Sequence, residues 1–199
     1  LPDGTTGTSV PKVTAVVKLN RGLTLDVHFF FLDLADHPCS DRTDGAALNA
    51  TTAANSHYFQ SEYIAALVAL LSRSASLATA SPTYDNLTRH DLDDVSFDNA
   101  GDLLALGKYE TGVNIFFVRS LSPLGAPALV PFPGPPAVAG TRQSGIVIPL
   151  DTLCYRDWQG MARLTAHAIA RYMGLPHNVE IETSSHPSWR DPFPDSDDS

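Results

Sequence analysis

The chain has 199 residues, of which 43% are hydrophobic and 18% are charged. This composition is typical of a globular protein and excludes an intrinsically disordered chain. The net charge is −9 and no basic stripe is present, so we expect no nucleic-acid partner. No apolar run approaches the roughly 20 residues that a membrane-spanning helix needs.

The first half of the chain predicts two strands and one long helix. After a polar leader at 1–12, strands are expected at 13–19 and 23–34, separated by the turn sequence NRG. The second run becomes continuously apolar, which is typical of a strand covered on both faces. A loop is expected at 35–54. Apolar residues then recur at three- and four-residue steps over 57–77, which predicts a helix.

The second half predicts three more strands. We expect a weak strand at 79–87, a buried strand at 113–119 and an edge strand at 145–150. An acidic loop at 88–102 and one helical turn at 103–106 are expected before the buried strand. Six prolines exclude a central strand or a long helix within 120–144.

The last predicted element is a helix over 158–173. Asp157 is a candidate N-cap, and Gly174 suits the left-handed position that ends a helix. The resulting order, β, β, α, β, β, β, α, is typical of an α/β protein. We therefore expect one domain over 13–199 of the α/β (α+β) class, with a mixed, twisted sheet of about five strands and two long helices.

The two cysteines, Cys39 and Cys154, lie far apart and in no metal-binding CxxC spacing. One interpretation is a disulfide in an exported protein, and the other is two buried thiols in a cytosolic protein. Leu1 is followed by a polar stretch of the kind that signal removal leaves at a mature N-terminus. We therefore expect a Cys39–Cys154 disulfide in a secreted, periplasmic or cell-surface protein.

The segment that carries the most chemical information is HAIARYMGLPH at 167–177. In the extended zinc motif HExxHxxGxxH, two histidines share one face of a helix and a glutamate beside the first acts as general base. A glycine then turns the chain, so that a third histidine reaches the metal. His167, Gly174 and His177 hold the first, eighth and eleventh positions. The segment therefore resembles the active-site helix and turn of the metzincin zinc metallopeptidases.

The surrounding sequence extends this resemblance over roughly residues 23–177. VNIFFVRSLSPLG resembles a metzincin core strand, and SGIVIPL resembles the edge strand that binds substrate. The resemblance implies a zincin-like fold with an upper subdomain at 13–177 and the start of an incomplete lower subdomain at 178–199. It also implies a substrate cleft along the edge strand, at Gly145, Ile146, Val147 and Ile148.

Two departures from the family pattern bear on activity. Ala168 holds the position of the catalytic glutamate, and loss of a general base lowers a rate by about 10²–10⁴. Arg171 holds the position of the second histidine, and its cationic guanidinium has no lone pair for a metal. Only His167 and His177 remain of the three protein ligands that a catalytic zinc needs. No methionine follows Met173 in this sequence, but metzincins continue beyond such a point to their Met-turn, so we do not count this against the resemblance.

Residues beyond the motif offer two replacements for the missing parts. One hypothesis is that Arg171 takes the place of the metal and pairs with Glu180, Glu182 or Asp191. The alternative is an arginine on the helix surface. His186 is a candidate replacement ligand, and the alternative is a surface histidine.

From these departures we expect a non-catalytic metzincin-like protein, without a cofactor, that binds a peptide or protein and does not cleave it. The first alternative is a divergent zinc metallopeptidase. It would use His167, His177, an unusual third ligand and a carboxylate from 180–191 as base. The second alternative is a metal-free structural or surface-interaction domain.

Overall fold

The structure, a computed structural model, describes residues 24–32, 34, 37, 39, 47–92, 94–122, 127–131 and 139–174. Its helices are α1 (Ala50–Asn55), α2 (Ala65–Ala75), α3 (Ala100–Leu104) and α4 (Trp158–Tyr172). A π-helical segment, Tyr58–Ile64, leads directly into α2, and 3-10 turns lie at His90–Leu92 and Leu150–Cys154. The strands are β1 (Thr24–Leu25), β2 (Val27–Leu32), β3 (Ala78–Thr79), β4 (Thr83–Leu87), β5 (Asp94–Ser96), β6 (Val113–Val118), β7 (Ser120–Ser122) and β8 (Ile146–Pro149).

The main sheet has four strands in the order β4-β2-β6-β8, and all three neighbouring pairs are parallel. Two smaller parallel sheets pair β1 with β3 and β5 with β7. The predicted α/β class is confirmed. The named strands of the main sheet are parallel, whereas the sequence predicts a mixed sheet. On the outer side of β8, Leu129 makes an antiparallel bridge to Val147.

The two central strands, β2 and β6, are buried at every residue, which confirms that both faces of the sheet are covered. Alternate side chains point to opposite faces. On one face, Phe31 stacks on Phe117 with ring centroids 5.5 Å apart. On the other face, Phe30 stacks on Phe116 at 4.8 Å, in a smaller core that includes side chains of α3.

The helix predicted over 57–77 is confirmed as the π-helical segment followed by α2. It ends at Ser76, which adopts the left-handed conformation. Phe59 and Tyr63 of the π-helical segment are fully buried, and Trp158 of α4 meets Phe59 edge to face at 5.5 Å. The two long helices therefore pack on the same face of the sheet, against one aromatic cluster.

Three of the predicted boundaries are wrong. Within the expected loop at 35–54, α1 begins after Asn49, whose side chain accepts hydrogen bonds from the backbone N–H groups of Thr51 and Thr52. Within the expected loop at 88–102, β5 pairs with β7 and α3 begins at Ala100. The weak strand predicted at 79–87 is two strands, β3 and β4. Capping and distant pairing form these elements, and neither leaves a strong periodic signal.

The leader and the strand predicted at 13–19 lie outside the described residues.

Helix α4 agrees closely with its prediction. The Asp157 carboxylate accepts a hydrogen bond from the backbone N–H of Gly160 at 2.6 Å, which confirms it as the N-cap. Gly174 follows the helix with φ +97°, a left-handed value that favours glycine. A cap at one end and a glycine at the other fix the length of the helix.

A buried pair of hydroxyl groups links the two long helices. The Thr165 hydroxyl donates to the carbonyl oxygen of Met161 at 2.9 Å, so it accepts a hydrogen bond from the Tyr63 hydroxyl, also at 2.9 Å. Burial raises the pKa of Tyr63, which keeps the phenol protonated and able to donate. The pair satisfies the polar atoms that both helices bring into the core.

We expect Thr165→Val to lower the free energy of unfolding by about 1–3 kcal/mol, because it leaves the Tyr63 hydroxyl buried without an acceptor. Urea denaturation of the wild type and the variant measures this loss. In Tyr63→Phe/Thr165→Val both polar groups are removed, so the loss should be smaller than the sum of the two single losses. Strictly additive losses would contradict the pairing.

Candidate functional site

The motif residues of α4 divide between two sides of the helix. His167 is exposed and Arg171 is partly buried, whereas Ala168 is 1% exposed and Ile169 is fully buried. Residues four apart share one side of a helix, so His167 and Arg171 lie above one another. The two positions that hold metal-binding histidines in the motif are therefore occupied by a histidine and an arginine on the less buried side of α4.

Ala168 is an apolar contact of the core. It belongs to the same buried cluster as Tyr63, Trp158 and Ile169, on the side of α4 that faces the sheet and the first long helix. A carboxylate at this position would lose its water, and burial of an unpaired charge is strongly unfavourable. The position that carries the general base in a peptidase is here filled by a methyl group.

The remaining predicted members of the site lie outside the described residues. These are His177, Glu180, Glu182, His186 and Asp191. The pairing of Arg171 with a carboxylate and the recruitment of a third ligand therefore stay predictions.

The residues predicted to line a substrate cleft, from Gly145 to Ile148, are all buried. Gly145 has φ +140°, and a side chain there would collide with the carbonyl oxygen of Asn114, so the position requires glycine. β8 is the end strand of the main sheet, as predicted for an edge strand. Its Val147, however, exchanges two backbone hydrogen bonds of 2.9 Å with Leu129. Beyond β8, the next backbone outward is therefore that of residues 127–131.

We call residues 127–131 the edge segment. Both backbone groups of Leu129 bond to Val147. In an antiparallel pair the backbone groups of the adjacent residues point the opposite way, so those of Ala128 and Val130 face away from β8. The edge segment thus offers donors and acceptors in the arrangement that an added strand would use.

A cavity of about 440 Å³ lies beside the edge segment. Val130 and Pro131 line one part of it, and Phe97 and Arg142 line another. Phe97 is 68% exposed, which is unusual for an aromatic side chain. Arg142 forms an exposed ion pair with Asp102 at 3.0 Å. Among the described residues, a backbone edge without a paired strand, an exposed aromatic ring and a cation therefore occur together on this surface.

The predicted disulfide joins Cys39 to Cys154. Next to it, buried His37 has its Nε2 atom 3.0 Å from the carboxylate of Asp151. The sequence predicts neither His37 nor Asp151 as a partner of this site. The one hint in the sequence is that each cysteine has a polar residue two or three positions before it. His37 precedes Cys39 and Asp151 precedes Cys154, and these two polar residues are hydrogen-bonded to each other in the structure.

A further polar cluster surrounds His28 on β2, whose mid-strand position predicts a packed histidine. His28 is 7% exposed, hydrogen-bonds to the Thr83 hydroxyl at 2.8 Å and stacks on Tyr109 at 3.9 Å. Tyr109 donates in turn to Asp85 at 2.7 Å. Partial burial opposes ionisation of Asp85, but hydrogen bonds from Lys108 and Tyr109 outweigh it and hold its pKa below the usual value. These contacts fix the cluster in place, and we assign it a structural role.

Neither a comparison with models of known protein families nor a comparison with curated proteins gives a match to this chain. None of the described helices is long and apolar enough to cross a membrane. The fold and its cross-link define a disulfide-bonded α/β protein. No family is shown by these comparisons, and the resemblance of residues 167–177 to the metzincin motif stays a prediction.

We expect Ala168→Glu to lower the free energy of unfolding by about 3–5 kcal/mol at pH 7, because it buries a carboxyl group in the core. Burial raises the pKa of this glutamate above its unfolded value of about 4.3, so the loss should shrink as the pH falls from 7 towards 4. Chemical denaturation at both pH values measures it.

The matched control is Gln159→Glu, which adds the same carboxyl group at an exposed position of the same helix. Its effect should stay within about 0.5 kcal/mol. Equal effects of the two substitutions would show that position 168 is not part of the core.

Proposed function

We propose that this protein is a non-catalytic, metzincin-like domain that binds a peptide or protein segment without cleaving it. The main support for a non-catalytic protein is Ala168, which occupies the general-base position of the motif and is 1% exposed. Helix α4 contains no acidic residue that takes over its role. Hydrolysis by a metal-bound water needs a group that accepts the water's proton, and the motif helix has none.

The metzincin-like assignment is supported by the order and geometry of the elements around α4. β8 is the end strand of the main sheet, and α4 follows it after one 3-10 turn. Gly174 ends the helix in the left-handed conformation, as the turn before the third histidine of the motif requires. These are the relations that the resemblance implies between edge strand, active-site helix and turn.

The residues of the motif do not fit a catalytic zinc ion. Of the three protein ligands that such an ion needs, the second position is Arg171, a permanent cation one helical turn from His167. A guanidinium on the same side as the remaining histidine disfavours a divalent cation electrostatically. We therefore derive no catalytic step through a metal.

Peptide binding is proposed at the edge segment, one strand further out than the sequence suggests. A peptide in extended conformation would add as a strand along Ala128 and Val130, whose backbone groups face away from β8. Phe97 and the adjoining cavity would take one of its side chains. Main-chain hydrogen bonds then supply affinity, and the cavity supplies selectivity.

We also propose that the protein is exported. The support is the Cys39–Cys154 disulfide, because disulfides persist in oxidising compartments and are rare in the cytosol. Such a compartment suits a domain that captures peptides or surface proteins.

Zinc content separates this proposal from the metallopeptidase alternative. We expect the purified wild type to retain no stoichiometric zinc after dialysis and to show no peptidase activity. We expect Arg171→His, which restores the second histidine of the motif, to gain zinc binding that is lost again in His167→Ala/Arg171→His. Metal analysis and isothermal titration with Zn²⁺ measure both. Zinc in the wild type, with peptidase activity that His167→Ala removes, would overturn the proposal.

The matched control for this experiment is Arg163→His. It also creates two histidines four residues apart on the exposed side of α4, but one turn further from the glycine turn. If zinc binds only through two histidines one helical turn apart, both variants should bind it equally. Tighter binding by Arg171→His, about tenfold or more, would indicate a third ligand beyond Gly174, as the motif predicts. Equal affinities would contradict the metzincin-like arrangement.

A second experiment tests the edge segment. On titration with unstructured peptides from digested casein, we expect the amide resonances of Ala128, Val130 and Phe97 to shift in NMR spectra. Val130→Pro removes an outward N–H group and should weaken binding about tenfold, whereas Val130→Thr keeps the N–H and should bind as the wild type does. Shifts confined to another surface would contradict the edge segment, and an absence of shifts would favour the structural-domain alternative.

A further inference from the structure

The disulfide lies within a cluster of metal-binding side chains, which we call the cysteine cluster: His37, Cys39, Asp151 and Cys154. A ring nitrogen of His37 and the sulfur atoms of Cys39 and Cys154 lie within 4.8 Å of one another. His37 is 1% exposed, whereas Cys154 is exposed. Three potential ligands from two distant parts of the chain thus meet at a point that solvent reaches from one side.

The imidazole of His37 is held in one orientation by contacts to both nitrogens. The backbone N–H of Cys39 donates to Nδ1 at 3.2 Å. Since Nδ1 accepts, the ring proton of the neutral imidazole is on Nε2, which donates to the Asp151 carboxylate at 3.0 Å. The lone pair of Nδ1 is therefore directed at the backbone N–H of Cys39, and a metal ion at Nδ1 would have to displace this 3.2 Å hydrogen bond.

The contact between Nε2 of His37 and Asp151 is of the kind that supports a metal-binding histidine. Ligating histidines usually donate their other N–H group to a carboxylate, which fixes the ring and increases its basicity. Here Asp151 already lies 3.0 Å from Nε2 and accepts its hydrogen bond. A ring nitrogen of His37 lies within 4.8 Å of both sulfur atoms, and thiolate sulfur is the softest ligand that a protein offers.

We propose that reduction of the Cys39–Cys154 disulfide converts the cysteine cluster into a site for Zn²⁺. The ligands are Nδ1 of His37, once it is released from the backbone N–H of Cys39, and the thiolates of Cys39 and Cys154, with Asp151 as the carboxylate behind the histidine. One histidine and two thiolates form a known zinc donor set, and the fourth position opens to water on the exposed side of Cys154.

The chemistry balances with a dithiol as reductant. The disulfide accepts two electrons and two protons, its S–S bond breaks, and the dithiol leaves as its own cyclic disulfide. Zn²⁺ then displaces the two thiol protons, which go to solvent. Of the two cysteines, Cys154 is the more exposed residue, so an incoming thiolate would attack its sulfur.

The site would preserve a cross-link when the disulfide is lost. In the oxidised protein a covalent bond joins the segment after β2 to the 3-10 turn before α4, across 115 residues of sequence. In the reduced protein the zinc ion would join the same two segments. The start of α4 therefore stays anchored in both redox states.

Cobalt binding tests the proposal, because a Co²⁺–thiolate bond produces a charge-transfer absorption in the near ultraviolet. The full chain is reduced with a dithiol, desalted without oxygen and titrated with Co²⁺, and Zn²⁺ is then added to displace it. We expect one Co²⁺ per reduced chain, no band for the oxidised chain, and weaker binding by about 10–100-fold in Asp151→Asn. His37→Ala should weaken binding further.

The matched control is His57→Ala, which removes an exposed histidine outside the cysteine cluster and should bind Co²⁺ as the wild type does. Far-ultraviolet circular dichroism of the same samples reports whether the reduced chain is folded. The proposal is overturned if no band forms, if the reduced chain stays unfolded with metal, or if neither His37→Ala nor Asp151→Asn changes the affinity. None of these outcomes bears on the edge segment or on the α4 motif, which share no residue with the cysteine cluster.

Discussion

Phe29, Phe31 and Phe117 project from the two central strands onto one face of the sheet, and side chains from both long helices meet them there. Phe59 contacts all three rings at centroid distances of 5.7–6.0 Å, and Trp158 at the start of α4 packs on Phe59. Large aromatic side chains dominate the energetics of a core, because each buries an extensive apolar surface. This cluster fixes the position of α4 against the sheet and so determines what the motif is able to do.

The rotation of α4 follows from that packing. Once Trp158, Thr165 and Ala168 face the core, helical geometry turns His167 and Arg171 towards the less buried side. At position 168, we therefore expect a methyl group to stabilise the folded protein and a carboxylate to destabilise it. Ala168 is therefore compatible with a well-packed core on this side of the helix.

The N-terminal side of α4 has a second anchor in the disulfide. Closing a loop of 115 residues removes about 5 kcal/mol of conformational freedom from the unfolded chain in the chain-entropy model. The anchor lies next to the 3-10 turn that links β8 to α4, so it holds the helix near the end strand of the sheet. The surface beyond that strand, at the edge segment, is separate from both the anchor and the motif.

Several features could be read from the sequence because their signals are local. The continuous apolar runs of β2 and β6 predict strands covered on both faces, and Asp157 and Gly174 delimit α4. The parallel strand order, the short helices α1 and α3 and the place of the edge segment depend on contacts between distant residues, which local periodicity does not encode. The same holds within the site. The sequence determined that His167, Gly174 and His177 have the spacing of a zinc motif, with Ala168 and Arg171 at two of its other positions. Only the tertiary structure decided that Ala168 is buried in the core, and that His37 meets Asp151 beside the disulfide, because those contacts join residues that the chain itself keeps far apart.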